Sequence, residues 1–264
     1  MAHRSRRLRL SPAIRELIAE TRIHSSQFVQ PHFVQVADGS SEIASLPGIE
    51  RMSIQNLLLQ VEKDLKIGVR SVLLFGIPEV KTPNGLASQN KEDVIPKAIR
   101  ALKKNFGSDL IVMSDICLCA YTDHGHCGLV VDSKIHNQSS VEALAAMALN
   151  HAEAGVDIVA PSDMMDFRIK AIRDTLDANN FQDVSILSYA IKHAGAYYGP
   201  FRDAADSSPR FGDRKSYQMD PRNVREGLRD ALQDIDEGAD FLMIKPALPN
   251  LDLISKLREM TLAP

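Results

Sequence analysis

Three thiols and two lysines are the residues of this sequence best suited to chemistry. The segment "SDICLCAYTDHGHCG", residues 114–128, holds Cys117, Cys119 and Cys127, all the cysteines among 264 residues, together with His124 and His126. Cys-x-Cys-x7-Cys brings three soft thiolates within reach of one ion, and such ligands select zinc, copper(I) or iron–sulfur clusters. The competing reading is a group of cysteines buried for their apolarity alone. A fourth ligand, His124 or His126, would close a structural metal site. A catalytic site keeps that position open for water or substrate, and the histidines then hold ligands and protons from behind. Placement after a strand favours the catalytic version.

Lys192, in "SYAIKHAGAYYGPF", and Lys245, in "FLMIKPALPNLD", each follow an apolar run. Burial disfavours an ammonium. Two ammonium groups facing each other at about 4 Å, with an effective dielectric near 20, repel by roughly 4 kcal/mol, which moves one lysine from about 10.4 toward about 7. The free amine can then attack a carbonyl and form a Schiff base. Snorkelling to solvent is the bland alternative for a lone lysine, and it suits Lys245, set between Ile244 and Pro246, poorly.

These groups need a frame. Apolar strand patterns cover 28–36, 71–77, 109–116, 157–163, 184–190 and 239–247. Helical patterns such as "SIQNLLLQVEKDLKIG", "SSVEALAAMALNHAEAG" and "NVREGLRDALQDIDEG" lie between them, several ending in a Gly that suits a C-cap. Apolar strands alternating with helices imply an α/β fold with a parallel sheet covered on both faces. No strand opens onto a glycine-rich phosphate loop, which favours a TIM (β/α)8-type barrel over a doubly wound sheet. Asp115 and Cys117, Ser162 and Asp163, Ser188 and Lys192, and Lys245 sit at strand C-terminal ends, where barrel enzymes keep their chemistry. Only about six βα units are present in residues 26–264, the last ending in "LDLISKLREM", against the eight of a closed barrel. Residues Tyr197 to Pro221 lack periodicity and are long for a connection, so they are expected to form a lid. Its cations Arg202, Arg210, Arg214 and Lys215 suit a substrate carboxylate, with plain solvation as the alternative for each.

Composition removes several classes of function. A net charge of -3 argues against a nucleic-acid partner, and 44% apolar residues at this length suffice for one large core. No apolar run reaches the roughly 18 residues of a membrane span, and the basic start "MAHRSRRLRLSP" is followed by "AIRELIAETRI", which reads as an amphipathic helix and not as the apolar region of a signal peptide. An odd number of clustered cysteines makes no disulfide framework, so a reducing compartment, the cytoplasm or a plastid interior, is expected.

Four stretches in order, "SDICLCAYTDHGHCG", "APSDMMD", "YYGPFRDAADSSPRFGDRKSYQMDP" and "MIKPALPNLD", closely resemble the porphobilinogen synthase (5-aminolevulinate dehydratase) family. The resemblance runs from about residue 5 to the last residue. It implies a barrel with an N-terminal arm, here residues 1–25, that embraces a neighbouring subunit and commonly builds a homo-octamer; a helix packed on its own barrel is the alternative. It implies condensation of two 5-aminolevulinate molecules into porphobilinogen with loss of two waters. Lys245, the family's essential lysine, and Lys192 would form Schiff bases with the two substrates. Cys117, Cys119 and Cys127 would hold a catalytic zinc, with Asp115 handling protons nearby. Arg202, Arg214 and Gln218 would contact substrate, with Ser162 at the same site, and Glu237 matches a position linked to an allosteric magnesium in some members.

Phe167 stands where the family has a glycine after "DMMD", Ala190 and Ile191 differ around the first lysine, and Asn250 replaces an aromatic after "PALP". The family's last two strands, which carry a serine and a tyrosine for the substrate carboxylate, have no counterpart before Pro264, so weak activity and exposed strand edges are expected. Two other functions therefore stand beside the enzyme: an inactive family member or fragment working only within an assembly, and a class I aldolase-type Schiff-base lyase, which has no need of clustered thiols.

Overall fold

A computed structural model describes residues 3–264. The strands are β1 (Val29–Gln35), β2 (Ser40–Glu42), β3 (Glu50–Met52), β4 (Ser71–Ile77), β5 (Ile111–Ile116), β6 (Val130–Val131), β7 (Lys134–Ile135), β8 (Ile158–Pro161), β9 (Ser185–Lys192) and β10 (Phe241–Lys245). The helices are α1 (Pro12–Leu17), α2 (Ile54–Lys66), α3 (Val94–Phe106), α4 (Asn137–Glu153), α5 (Arg168–Ala178), α6 (Gly199–Ala204), α7 (Val224–Asp236) and α8 (Leu251–Met260). Six strands, β1, β4, β5, β8, β9 and β10, pair in parallel in their order along the chain. A doubly wound sheet reverses its order part-way; this one never does, which is the progression of a barrel wall. A helix follows each of the six: α2, α3, α4, α5, α7 and α8.

Among the described residues the wall does not close. β10 forms one edge, and the other is the hairpin of β3, parallel to β1, with β2 antiparallel to it. Leu242 of β10 donates its outward N–H to the Pro264 carbonyl, so residues at the end of the described chain run beside that edge. The hairpin β2–β3 and the small β6–β7 ribbon have no signature in the sequence pattern, being too short to show a period.

Alternation along the strands separates two cores. The concave face gathers Phe33, Leu73, Phe75, Met113, Ile158, Ala160, Leu187 and Tyr189. The convex face carries Val34, Val72, Leu74, Val112, Val159 and Ile186 under the apolar stripes of α2 to α5. Buried side chains such as Leu57 and Val61 of α2 and Ile99 and Leu102 of α3 each recur three or four residues apart, the spacing that keeps one helix face on the sheet. Gly238, at φ +109°, ends α7 in the left-handed conformation that L side chains adopt poorly.

The N-terminal segment stands apart from both cores. Helix α1 is capped by the Ser11 hydroxyl and begins at Pro12, but it stops at Leu17, well short of the whole "AIRELIAETRI" pattern. No residue from 3 to 31 is buried, and Leu10 and Leu17 are 71% and 81% exposed. No helix among the described residues is long and apolar enough to cross a membrane.

Candidate active site

The concave faces of four strands converge at their C-terminal ends. In β5, Met113 faces the concave core, and the two-residue period carries Asp115 and then Cys117 to the same side. In β8 and just beyond, Ile158 and Ala160 lead to Ser162. In β10, Phe241 and Met243 lead to Lys245.

β9 breaks the rule and gains by it. Leu187 and Ser188 pair with Phe241 and Leu242, whereas Ile191 and Lys192 pair with Ile244 and Lys245, so β9 contains one extra residue. A bulge of this kind re-aims the side chains beyond it. Tyr189 and Lys192, three residues apart, therefore share the concave face, with the Lys192 Nζ 5.3 Å from the Tyr189 ring centre. Ala190 and Ile191 both turn to the convex side, under α7 and α8. Lys192 and Lys245 are left as direct neighbours in register, and the Lys245 Nζ lies 5.0 Å from the same Tyr189 ring.

The two amines have different surroundings. The Lys192 Nζ donates to the Ser162 carbonyl at 2.5 Å. Lys245 has no hydrogen-bond partner of that kind; it lies between Tyr189 and Phe201, whose ring centre is 5.2 Å away. Burial, then repulsion from Lys192, lowers Lys245 to about 8, and Asp115 pulls weakly the other way. The expected displacement is present with its causes reordered: loss of water outweighs the neighbouring charge. Asp115 is raised to about 6 by burial, against the Ser162 hydroxyl and the two ammonium groups.

Cys117, Cys119 and Cys127 are buried and unpaired, and their sulfurs lie within 4.8 Å of one another. A tetrahedral ion with sulfur at about 2.3 Å needs its thiolates about 3.8 Å apart, so three soft donors so placed fit such an ion with modest contraction. The hydrogen bonds of Cys117 and Cys119 hold the Cys127 thiol well below the usual range, against the cost of burial. Neither histidine completes the set. His126 bonds the Tyr217 hydroxyl through Nδ1 and the Phe211 carbonyl through Nε2, both at 3.0 Å. The His124 Nδ1 accepts the His126 backbone N–H at 3.1 Å.

The expected lid, 197–221, lies closed over this mouth, and it is more ordered than its sequence indicates. Helix α6 lies within it and packs Phe201, Ala204 and Ala205 onto the concave core, with Phe201 5.0 Å edge-on to Phe75. Arg214 is buried and donates to the Gly125 and Ser207 carbonyls. Gln218 is 3% exposed, yet neither end of its amide has a partner, and the Arg202 Nε also lacks one. Glu237 lies away from this group: one carboxylate oxygen accepts the Lys170 N–H in the first turn of α5 and the other accepts Gln233. Asn250 does hydrogen-bonding work in place of an aromatic, joining His193 to the Pro246 carbonyl. Sequence reasoning passes over Tyr189, Phe201 and Tyr217, because an aromatic in an apolar run or a loop carries no signal of its own.

The sequence profile of the delta-aminolevulinic acid dehydratase family matches residues 2–264. The chain belongs to the delta-aminolevulinic acid dehydratase family. It is 49% identical to the delta-aminolevulinic acid dehydratase of Methanothermobacter thermautotrophicus over 259 residues, which are 97% of this chain and 79% of that one. It is 47% identical to the Bacillus subtilis dehydratase over 98% of this chain and 81% of the relative. The crystal structure of the Toxoplasma gondii dehydratase, in complex with its reaction product porphobilinogen, superposes with a TM-score of 0.97 at 42% identity, covering all of this chain and 76% of that one. The family is one of metalloenzymes, and the thiol cluster is a group among the described residues able to hold an ion.

Proposed function

We propose that this chain is a porphobilinogen synthase, a lyase that condenses two 5-aminolevulinate molecules into porphobilinogen with loss of two waters. The observation that carries the proposal is the in-register pair Lys192–Lys245 beside three clustered thiols, in a chain of the dehydratase family.

Lys245 is the first nucleophile. With its amine lowered to about 8, about a tenth is neutral at pH 7, some 300-fold more than for an ordinary lysine. Its lone pair attacks the substrate ketone, the carbon–nitrogen bond forms, and the ketone oxygen leaves as water to give the imine. Lys192 is placed to do the same for the second substrate, and the Ser162 carbonyl orients its Nζ. Asp115, near 6, changes protonation within the working range and takes or returns the protons of carbon–carbon and carbon–nitrogen bond formation. Arg202, Arg214 and Gln218 descend with the lid, and the unpartnered Gln218 amide and Arg202 Nε are available to a carboxylate. Phe201 keeps water from Lys245.

Cys117, Cys119 and Cys127 would hold zinc, which supplies Lewis acidity and a bound water of lowered pKa. An allosteric magnesium at Glu237 has thinner support, since that carboxylate is already engaged by Lys170 and Gln233. Self-association, an octamer by family resemblance, is supported by the exposed apolar side chains of Leu10, Leu17 and Ile23 in a segment with no buried residue.

The test is reductive trapping. Borohydride added with 5-aminolevulinate should leave a covalent adduct on Lys245, and a zinc chelator should suppress porphobilinogen formation. A peptide spanning 239–256 that stays unmodified defeats the Schiff-base reading; turnover indifferent to the chelator defeats the zinc.

A further inference from the structure

Every residue of the loop 124–127, which ends in the ligand Cys127, is in contact with the lid. The Arg210 N–H donates to the His124 carbonyl at 2.9 Å. Arg214 donates to the Gly125 carbonyl at 3.0 Å. Gly125 has φ +72°, and a Cβ there would run into the Ser208 backbone, so lid and loop meet main chain to main chain. His126 reaches Phe211 and Tyr217. The Cys127 N–H points at the Tyr217 hydroxyl, 3.3 Å away.

For the neutral His126 ring the direction of each hydrogen bond in this last group follows from the Phe211 carbonyl. A carbonyl can only accept, so the His126 Nε2 carries the proton and donates to Phe211. In the neutral ring the Nδ1 is then an acceptor, and the Tyr217 hydroxyl must donate to it. That leaves the hydroxyl oxygen as acceptor for the Cys127 N–H. One continuous chain results: Cys127 N–H to Tyr217 O–H to the His126 Nδ1, and His126 Nε2–H to the Phe211 carbonyl. Phe211 and Tyr217 bracket the lid segment that carries Arg214, and Tyr217 also packs against the cysteine cluster.

We propose that Tyr217 is a positioning residue that couples occupation of the thiol cluster to closure of the lid. An ion that draws Cys127 toward Cys117 and Cys119 fixes the backbone of loop 124–127, and this chain then holds both ends of segment 211–217 against it. Linkage makes the effect reciprocal: a closed lid presents Cys127 in its ligating position and tightens the metal. The inference rests on the zinc reading above, but it concerns this chain's own hydrogen bonds.

Limited trypsin digestion of the full chain, with and without zinc, tests it. Arg210 and Lys215 are exposed cleavage points within the lid, and cleavage there requires the segment to open. Zinc should slow cleavage of the native protein by about tenfold or more, and that of Tyr217→Phe, which keeps the ring and loses the hydroxyl, by less than about twofold. A purely structural tyrosine would alter cleavage equally in both metal states. Zinc content is measured on the same samples. Zinc bound by both proteins with equal protection, or with none, overturns the coupling while leaving the metal assignment intact; no zinc bound by the native protein overturns both. Should Tyr217→Phe lack native circular dichroism, His126→Gln takes its place under the same criterion.

Discussion

Two buried polar groups lie on opposite faces of β9, and they are treated differently. On the convex side, Arg168 donates to Asp234 at 3.1 Å, to the Ser188 hydroxyl at 3.1 Å and to the Tyr189 carbonyl at 3.3 Å, and Ser188 donates in turn to Asp234. The orphaned atoms there, the Arg168 Nε and the Asp163 Oδ2, face each other at 3.9 Å. On the concave side, one Asp115 oxygen and the Tyr189 hydroxyl have no partner. An unmet buried polar group carries a penalty of about 1–3 kcal/mol, so a protein keeps several together only where something arrives to meet them. The convex group closes on itself and holds α5 and α7 to the sheet; the concave group leaves its polar atoms open, as the proposed substrate site requires.

That contrast can be tested by changing each face in turn. The largest effect should come from Lys245→Met: no borohydride adduct on the 239–256 peptide and turnover lower by about a thousandfold or more, with stability little changed. Asp234→Ala removes the nearer and hydrogen-bonded of the two carboxylates that face the buried Arg168 guanidinium, leaving Asp163 at 3.9 Å, and should cost about 3 kcal/mol in a denaturant titration. Equal losses of stability from the two substitutions would erase the distinction between the faces.

Smaller changes read the surroundings of Lys245. Its free amine grows as pH rises through about 8, so trapping rates should climb about tenfold per pH unit below that point and then level off. Phe201→Ala admits water and should move the midpoint up; Asp115→Asn removes the charge that favours the ammonium and should move it down. Midpoints that move together would show that burial and charge are wrongly apportioned. The smallest effect is conformational. Phe167, at φ +62° and 62% exposed, occupies the left-handed region at the start of α5, and Phe167→Gly should stabilise the fold by about 1 kcal/mol in the same titration.

Much of this molecule is legible in its residues because alternation is a strong rule. The two-residue period alone places Asp115 and Cys117 with Met113, and Lys245 with Met243, and the apolar patterns find all six parallel strands and their helices. Lys192 is different: at three residues from Tyr189 it should face away, and only the register of β9 against β10 shows why it does not. The lid is visible as an absence of period, but α6 is not, since its six residues are held by the contacts of Phe201 and Ala204 and not by propensity. His126 reads from its position as a ligand or an attendant of ligands; its partners come from residues 85 and 91 positions further along, a distance no local pattern spans.

The extra residue in β9 makes the aim of Lys192 a matter of parity. A pleated ribbon offers two sides and nothing between them. Were the strand to pair evenly past Leu187, the amine would swing into the oily seam beneath α7, and the Ser162 carbonyl would lose its donor. The in-register pairing of the two lysines would be gone with every amino acid still in place, so the proposed nucleophilic pair depends on an arithmetic accident in the backbone as much as on either side chain.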